Sequence, residues 1–312
     1  MDLAINAALT AVGLVMLCYG GNWLVGGGVS IAKRLGISNI VIGMTVVAYG
    51  TSTPELAASI AAAGEHSQII LGNIVGSNIA NVGMVIGISA ILTPLVVHKA
   101  TIRKELFVMV GASILLIALS LDGEISQYDG ALLIGLLIAF TIFTYRSVKK
   151  EQKTKDRHAT KRSNDFYLRS FGLLAIGVAF LYVGSELTVE NAVKIAQSFD
   201  ISEKVIGITI IAIGTSLPEL ITSIAAIRKG HTDIGIGNII GSNIYNILMI
   251  MGIASALTGV ATVDEIYVDY VIMIAFGLAL FAVMKTGLVT RKIGIGLSVG
   301  YASYLVASFL YL

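Results

Sequence analysis

Apolar runs long enough to matter for a membrane recur from one end of the chain to the other, separated by short polar connections. A helix of about 20 apolar residues, rising 1.5 Å per residue, crosses a hydrocarbon core about 30 Å thick. On that criterion the pattern predicts ten spans. They lie near Leu3 to Val29, Asn39 to Ala63, Gln68 to Thr93, Glu105 to Leu121 and Gln127 to Ser147, then Phe166 to Val193, Glu203 to Ile227, Thr232 to Leu257, Ile266 to Met284 and Lys292 to Leu312. Met1 to Leu17 lacks a positive leading region and a cleavage site and is read as the beginning of the first span.

If these spans alternate, every lysine and arginine except Lys194 and Lys204 falls on one side of the membrane. The positive-inside rule makes that side cytoplasmic and puts both termini outside. One extra or missing span would scramble the segregation from that point onward, so the bias supports the span count as well as the orientation. The polar stretch from Lys149 to Asp165 has mixed charge and no apolar period, and reads as a flexible cytoplasmic linker anchoring two halves.

The second half of the chain repeats the first at an offset of 164 to 165 residues. GMTVVAYGTSTPEL, Gly43 to Leu56, matches GITIIAIGTSLPEL, Gly207 to Leu220, at 9 of 14 positions. LGNIVGSNIANVGMVIGISA, Leu71 to Ala90, matches IGNIIGSNIYNILMIMGIAS, Ile236 to Ser255, at 11 of 20. An odd number of spans in each half means that the second copy enters from the opposite side. The expected fold is therefore an all-α integral membrane protein of ten transmembrane helices, arranged as two inverted five-helix repeats, 1–148 and 166–312, joined by the linker 149–165. Inverted repeats place a binding site near mid-membrane at their interface and supply one gate per side. Duplication retained only for packing is the alternative.

Glu55 and Glu219 stand deep in the second and seventh spans, and no lysine or arginine lies at comparable depth. A charge at the centre of a membrane helix costs about 2.5–3.5 kcal/mol on insertion scales, so an intramembrane acid ordinarily faces a pathway and a partner. A bound cation is the natural partner; two protonated glutamates acting as hydrogen-bond donors are the rival reading. Pro54 and Pro218 each remove the amide that would have bonded the carbonyl at Gly50 or Gly214, so both helices are expected to break there. The break would leave carbonyl oxygens and the hydroxyls of Thr51, Ser52, Thr215 and Ser216 beside a carboxylate. In the second motif Asn73, Ser77 and Asn81 share one helix face, as do Asn238, Ser242 and Asn246, with Asn78 and Asn243 beside them. Interhelical hydrogen bonding and ion contact are both open for this stripe. Gly72 with Gly76, and Gly237 with Gly241, are small-xxx-small pairs suited to close helix approach.

Composition narrows the chemistry. The chain is 56% hydrophobic, only 13% charged and has a mean hydropathy of +0.87, against roughly 25% charged residues in soluble domains. A net charge of +2, with the basic residues confined to connections, gives no case for nucleic acid. The lone Cys18 excludes an intramolecular disulfide framework, and His66, His98, His158 and His231 all fall in connections. An oxygen-only site with two carboxylates suits calcium or sodium rather than zinc or copper. The expected partners are these ions and the lipid bilayer, with no cofactor and no obligatory protein partner. Paired acids also occur in intramembrane hydrolases, but neither glutamate has a GxGD context, and the chain is not expected to be an enzyme.

The doubled GTSxPEL and GNxxGSNxxN motifs resemble the two alpha repeats, here 43–90 and 207–255, of the calcium/cation antiporter superfamily, in its sodium/calcium exchanger branch. The resemblance spans nearly the whole chain. Proton-coupled relatives typically carry a GNxxEL pattern where this chain has GTSTPEL and GTSLPEL, which favours sodium coupling. The resemblance implies that calcium is held by Glu55, Glu219 and the backbone oxygens of Thr51 and Thr215. Sodium would use the same glutamates with Ser52, Ser77 and the Ala48 carbonyl on one flank and Ser216, Ser242 and the Ala212 carbonyl on the other. Asn81 and Asn246 would lie near the centre. Some prokaryotic relatives have aspartate at the position of Asn246; here both repeats have asparagine. With only a short linker in place of a large regulatory region, the chain resembles a minimal prokaryotic exchanger of the plasma membrane. A potassium-dependent sodium/calcium exchanger and a proton/calcium exchanger are the nearest alternatives; a cation channel is the alternative of another class.

Overall fold

A computed structural model describes residues 2–64, 67–96, 99–154, 164–199, 212–262, 266–284 and 286–311. The start of the span expected from Glu203, the motif opening at Gly207, the middle of the linker, and His66, His98 and His158 lie outside the described residues.

The described chain is almost entirely helical. It runs α1 (Asp2–Leu35), α2 (Asn39–Ile42), a π-helical turn (Gly43–Val47), α3 (Ala48–Thr51), α4 (Thr53–Ala61), α5 (Ser67–Ala80), a second π-helical stretch (Asn81–Ile86) and α6 (Gly87–Leu92). Then come α7 (Lys99–Leu119), α8 (Gln127–Thr154), α9 (Asn164–Ser198), α10 (Ala212–Thr215), α11 (Leu217–Arg228), α12 (Thr232–Tyr245), a further π-helical stretch (Asn246–Met251), α13 (Gly252–Thr258), α14 (Ile266–Met284) and α15 (Arg291–Tyr311). Among the described residues seven helices are long and apolar enough to cross a membrane. The molecule is a multi-span membrane protein.

One boundary differs from expectation. The stretch read as flexible from Lys149 is helical through Thr154, and α9 already begins at Asn164. The sequence KKEQKT is rich in good helix formers and simply continues the turn established by the apolar span before it.

Four two-residue strands tie the halves together. β1 (Leu95–Val96) pairs antiparallel with β4 (Leu288–Val289), and β2 (Glu124–Ile125) pairs antiparallel with β3 (Val260–Ala261). Applying the repeat offset to either ladder gives the other, so each half contributes one strand to both.

Burial separates two helices from the rest. The apolar windows of Ser67–Leu92 and Thr232–Thr258 are 83% and 89% buried, whereas those of the N-terminal and C-terminal helices are each only 17% buried. The buried pair forms the core, and the exposed leucines, valines and phenylalanines of α1, α8 and α15 face outward where lipid would solvate them.

Lipid gives apolar side chains little reason to leave it, so close backbone approach must hold the core helices together. A methyl group built on Gly237 would come within 2.6 Å of the Ile40 carbonyl oxygen, and one on Gly241 within 2.5 Å of the Met44 carbonyl oxygen. Glycine at these places lets α12 lie directly on α2 and α3. For the first-half pair, Gly72 and Gly76, no described atom lies within 4 Å of such a methyl. α1 and α9 make the same kind of seam: a methyl on Gly20 would meet the Gly177 oxygen at 2.9 Å, one on Gly27 the Ser170 oxygen at 2.9 Å, and one on Gly13 the Gly184 oxygen at 2.7 Å. The seven-residue spacing keeps small residues on one seam along two antiparallel helices.

Candidate functional site

The second span breaks at Ser52, whose backbone sits at φ −83°, ψ 6°, between α3 and α4. Ser216 repeats the break at φ −91°, ψ 3°, between α10 and α11. Both lie in the sparsely occupied bridge region, and in each case the proline follows within the first two positions of the next helix, where a missing amide costs nothing. The break thus falls two residues before the proline. The carbonyl freed at Gly214 accepts a 3.4 Å hydrogen bond from Ser185 Oγ of α9. Glu55 and Glu219 consequently stand in the first turns of α4 and α11.

The third segment of each half is interrupted differently. α5 passes into the π-helical stretch at Asn81, and α12 does so at Asn246. π-helical turns widen the helix and are found frequently at functional sites.

Contacts across the halves assemble these pieces in a swapped pattern. α3, with Ala48 and Thr51, packs on α12, which carries Ser242; α10, with Ala212 and Thr215, packs on α5, which carries Ser77. α4 meets the Asn246 stretch and α11 the Asn81 stretch. Ala48, Thr51, Ser52, Ser77, Asn81, Ser216, Ser242 and Asn246 are all buried, Thr215 is partly buried, and Ala212 opens α10.

The two acids are the most deeply buried charged residues among those described, Glu55 at 1% and Glu219 at 0% exposure. Glu219 Oε1 accepts from Ser52 Oγ at 3.4 Å and from Ser242 Oγ at 3.3 Å. Thr51 Oγ1 lies 3.3 Å from Ser242 Oγ and donates to Asn238 Oδ1 at 3.1 Å and to its own helix at Ala48 O. Asn238 and Asn73 brace the helices of their own halves, through Ser223 Oγ at 3.2 Å and Ser59 Oγ at 3.4 Å. The polar stripe of the second motif therefore makes interhelical hydrogen bonds, and Asn238 belongs to the site's frame, as its place on the Ser242 face signals.

What remains is a set of oxygens without partners. Both oxygens of Glu55, Oε2 of Glu219, Oγ of Ser77 and of Ser216, and Oδ1 of Asn81 and of Asn246 are buried and accept no hydrogen bond from any described residue. An orphaned buried polar group costs about 1–3 kcal/mol, more when charged. Six further buried oxygens without a partner, on Ser89, Glu105, Asn191, Thr222, Ser255 and Ser298, lie outside this set, so it is the clustering on the two broken helices and their partner segments, and not the number, that marks the site. The set is oxygen only, is drawn from both halves and includes two carboxylates, which is the donor chemistry that hard cations such as calcium favour.

Asn78 and Asn243, which stand beside the stripe, each accept a hydrogen bond from the central asparagine of the other half. Their only sequence signal is their place in both GSN triplets.

The family profile for sodium/calcium exchanger proteins matches twice, over residues 5–146 and 169–310, at the offset of the internal repeat. Escherichia coli (strain K12) inner membrane protein YrbG is 34% identical over 97% of this chain and 96% of its own length. The sodium/calcium exchanger MaX1 of Methanosarcina acetivorans is 30% identical over 98% of this chain and 99% of its own. Among solved structures, the sodium-calcium exchanger NCX_Mj superposes with a TM-score of 0.84 at 35% identity, covering 98% of this chain and 99% of that one. On these grounds of sequence, repeat and fold, the chain belongs to the sodium/calcium exchanger family.

Proposed function

We propose that this protein is a secondary active antiporter that exchanges sodium for calcium across the plasma membrane by alternating access. One observation carries the reading: two buried carboxylates, one from each half, stand among four further orphaned oxygens in a site that both halves build. Glu55 and Glu219 are shared ligands of both ions. Calcium adds the carbonyls of Thr51 and Thr215. Sodium adds Ser52, Ser77 and the Ala48 carbonyl on one side, and Ser216, Ser242 and the Ala212 carbonyl on the other, with Asn81 and Asn246 between them. MaX1 and NCX_Mj are both sodium/calcium exchangers, which supports the choice of ions. Sharing ligands is what couples the fluxes: one ion must leave before the other binds.

The proposed architecture is ten spans in two inverted repeats of five, with the polar stretch 149–165 in the cytoplasm and both termini outside. The swapped strand ladders and the swapped helix contacts support a two-fold relation between the halves. Such a relation gives the site an equivalent gate toward each side. In a Cys18→Ala background, an impermeant thiol reagent should label Asp122→Cys only from outside and Lys292→Cys only from the cytoplasm. Labelling of both from one side refutes the topology.

Calcium uptake into proteoliposomes tests the function. Uptake should require sodium inside, fail with choline, proceed without potassium on either side and persist when the proton gradient is collapsed. A potassium requirement would move the protein to potassium-dependent exchange, a proton requirement to proton/calcium exchange, and unitary currents independent of a counter-ion would make it a channel.

A further inference from the structure

An asparagine carboxamide has two ends of nearly equal size, an acceptor oxygen and a donor nitrogen. Only the oxygen serves a cation. Asn81 and Asn246 therefore need something to decide which end each presents, and rotation about the last side-chain bond is soft.

A chain of four asparagines and two methionines, all buried, makes that decision. Asn78 Nδ2 donates to Met273 Sδ at 3.7 Å, and Asn243 Nδ2 donates to Met109 Sδ at 3.6 Å and to the Asn78 carbonyl oxygen at 3.3 Å. With their nitrogens turned to these acceptors, both residues direct Oδ1 toward the central asparagines. Asn246 Nδ2 donates to Asn78 Oδ1 at 3.2 Å, and Asn81 Nδ2 donates to Asn243 Oδ1 at 2.9 Å. That fixes the nitrogen end of each central asparagine, and in both the Oδ1 is the atom left buried without a partner. Met109 and Met273 are themselves related by the repeat offset, on α7 and α14, so the arrangement is built twice, each half holding the other's ligand.

We propose that Asn78 and Asn243 are positioning residues that lock the carboxamides of Asn246 and Asn81 with oxygen toward the transported cation. The proposal rests on the reading that Asn81 and Asn246 line the cation site. The Asn78 side chain reaches the centre through Asn246 and that of Asn243 through Asn81, and Asn243 also holds the Asn78 backbone. Turning a carboxamide around replaces a ligand oxygen with an N–H donor that repels the cation, so losing the lock should weaken binding rather than slow translocation.

The test is a pair of double-mutant cycles on the half-saturating sodium concentration that drives calcium uptake in proteoliposomes, because Asn81 and Asn246 belong to the sodium set. Asn78→Ala should raise that concentration by up to about tenfold, the equivalent of about 1.4 kcal/mol, with the change appearing there rather than in the maximal rate. In an Asn246→Ala background the same substitution should have no further effect, while in an Asn81→Ala background its effect should persist in full. Asn243→Ala should behave in the mirror-image way. Additive effects in both partner cycles would mean that Asn78 and Asn243 serve packing alone, and would overturn the proposal. If Asn81→Ala and Asn246→Ala themselves leave sodium affinity untouched, the cation-site reading fails and takes this inference with it. Should an alanine variant not fold, Met273→Leu and Met109→Leu conserve volume while removing the sulfur acceptors. They should shift affinity in the same direction by about two- to threefold, and unchanged affinity in both would equally overturn it.

Discussion

Glu55→Gln and Glu219→Gln should each lower sodium-dependent calcium uptake by at least about 100-fold while leaving the protein folded. Glutamine keeps the volume and one carbonyl oxygen but removes a full charge from a site with only two. Removing one partner of a buried ionic contact costs about 3–5 kcal/mol, and every 1.4 kcal/mol is tenfold. No neighbouring acid can substitute, because the remaining site oxygens belong to hydroxyls, carboxamides and backbone carbonyls. Stability without ions should move the other way. Both oxygens of Glu55 are buried and unpartnered, close to a second carboxyl, so a neutral amide relieves repulsion at that point. Thermal unfolding in detergent, in choline buffer, should therefore give an unchanged or higher midpoint for both variants. Calcium should raise the midpoint of the native protein and not of the variants. Uptake near the native rate in both variants would remove the glutamates from the site.

An inside-positive potential should accelerate calcium uptake that is driven by sodium efflux. With both glutamates ionised the site carries two negative charges, and calcium bound alone makes a neutral load. The family resemblance implies about three sodium ions on the return limb, leaving one net positive charge, and one charge crossing 100 mV is worth about 2.3 kcal/mol. At fixed ion gradients that amounts to roughly a 50-fold change in the equilibrium accumulation ratio per 100 mV. Calcium/calcium self-exchange should be indifferent to voltage, because its loaded form is neutral. Asn246 decides this count. Its Nδ2 donates to Asn78 Oδ1, so it is held as a neutral carbonyl ligand, and an aspartate there would set acceptor against acceptor and add a third negative charge. Asn246→Asp should therefore make calcium/calcium self-exchange voltage-sensitive, the charge having moved from the sodium limb to the calcium limb. Valinomycin and a potassium gradient can set the potential in sealed proteoliposomes. Sodium-driven uptake that ignores the potential would rule out the two-carboxylate charge assignment in favour of an electroneutral exchange.

The sequence by itself determined the elements and the ingredients of the site. Span length, the duplication at a fixed offset, the intramembrane acids and the proline-marked breaks are all local properties: each is a statement about one run of residues and its solvent, and lipid punishes any violation severely. The breaks at Ser52 and Ser216 and the glycine contact of Gly237 and Gly241 were legible for that reason. Asn81, Asn246 and the serines were placed near the acids by resemblance, and the structure buries them among orphaned oxygens.

Only the tertiary structure decided which oxygens face one another. The bonds from Ser52 to Glu219, from Asn81 to Asn243 and from Asn246 to Asn78 join residues 162 to 168 positions apart, and no periodicity along the chain encodes a contact between two halves. The π-helical stretches at Gly43, Asn81 and Asn246 had no signal in the sequence. Glycine, asparagine and β-branched residues recur in them, and the same residue types recur in the α-helical turns on either side, so composition does not mark them. The glycine seam between α1 and α9 is spaced evenly enough to read in retrospect, but its meaning depends on the partner helix lying antiparallel at matching height. The orientation of two carboxamides, on which the charge and affinity of the centre depend, belongs to the same class: the sequence supplies an oxygen and a nitrogen at one site, and only the hydrogen-bond partners from the other half choose between them.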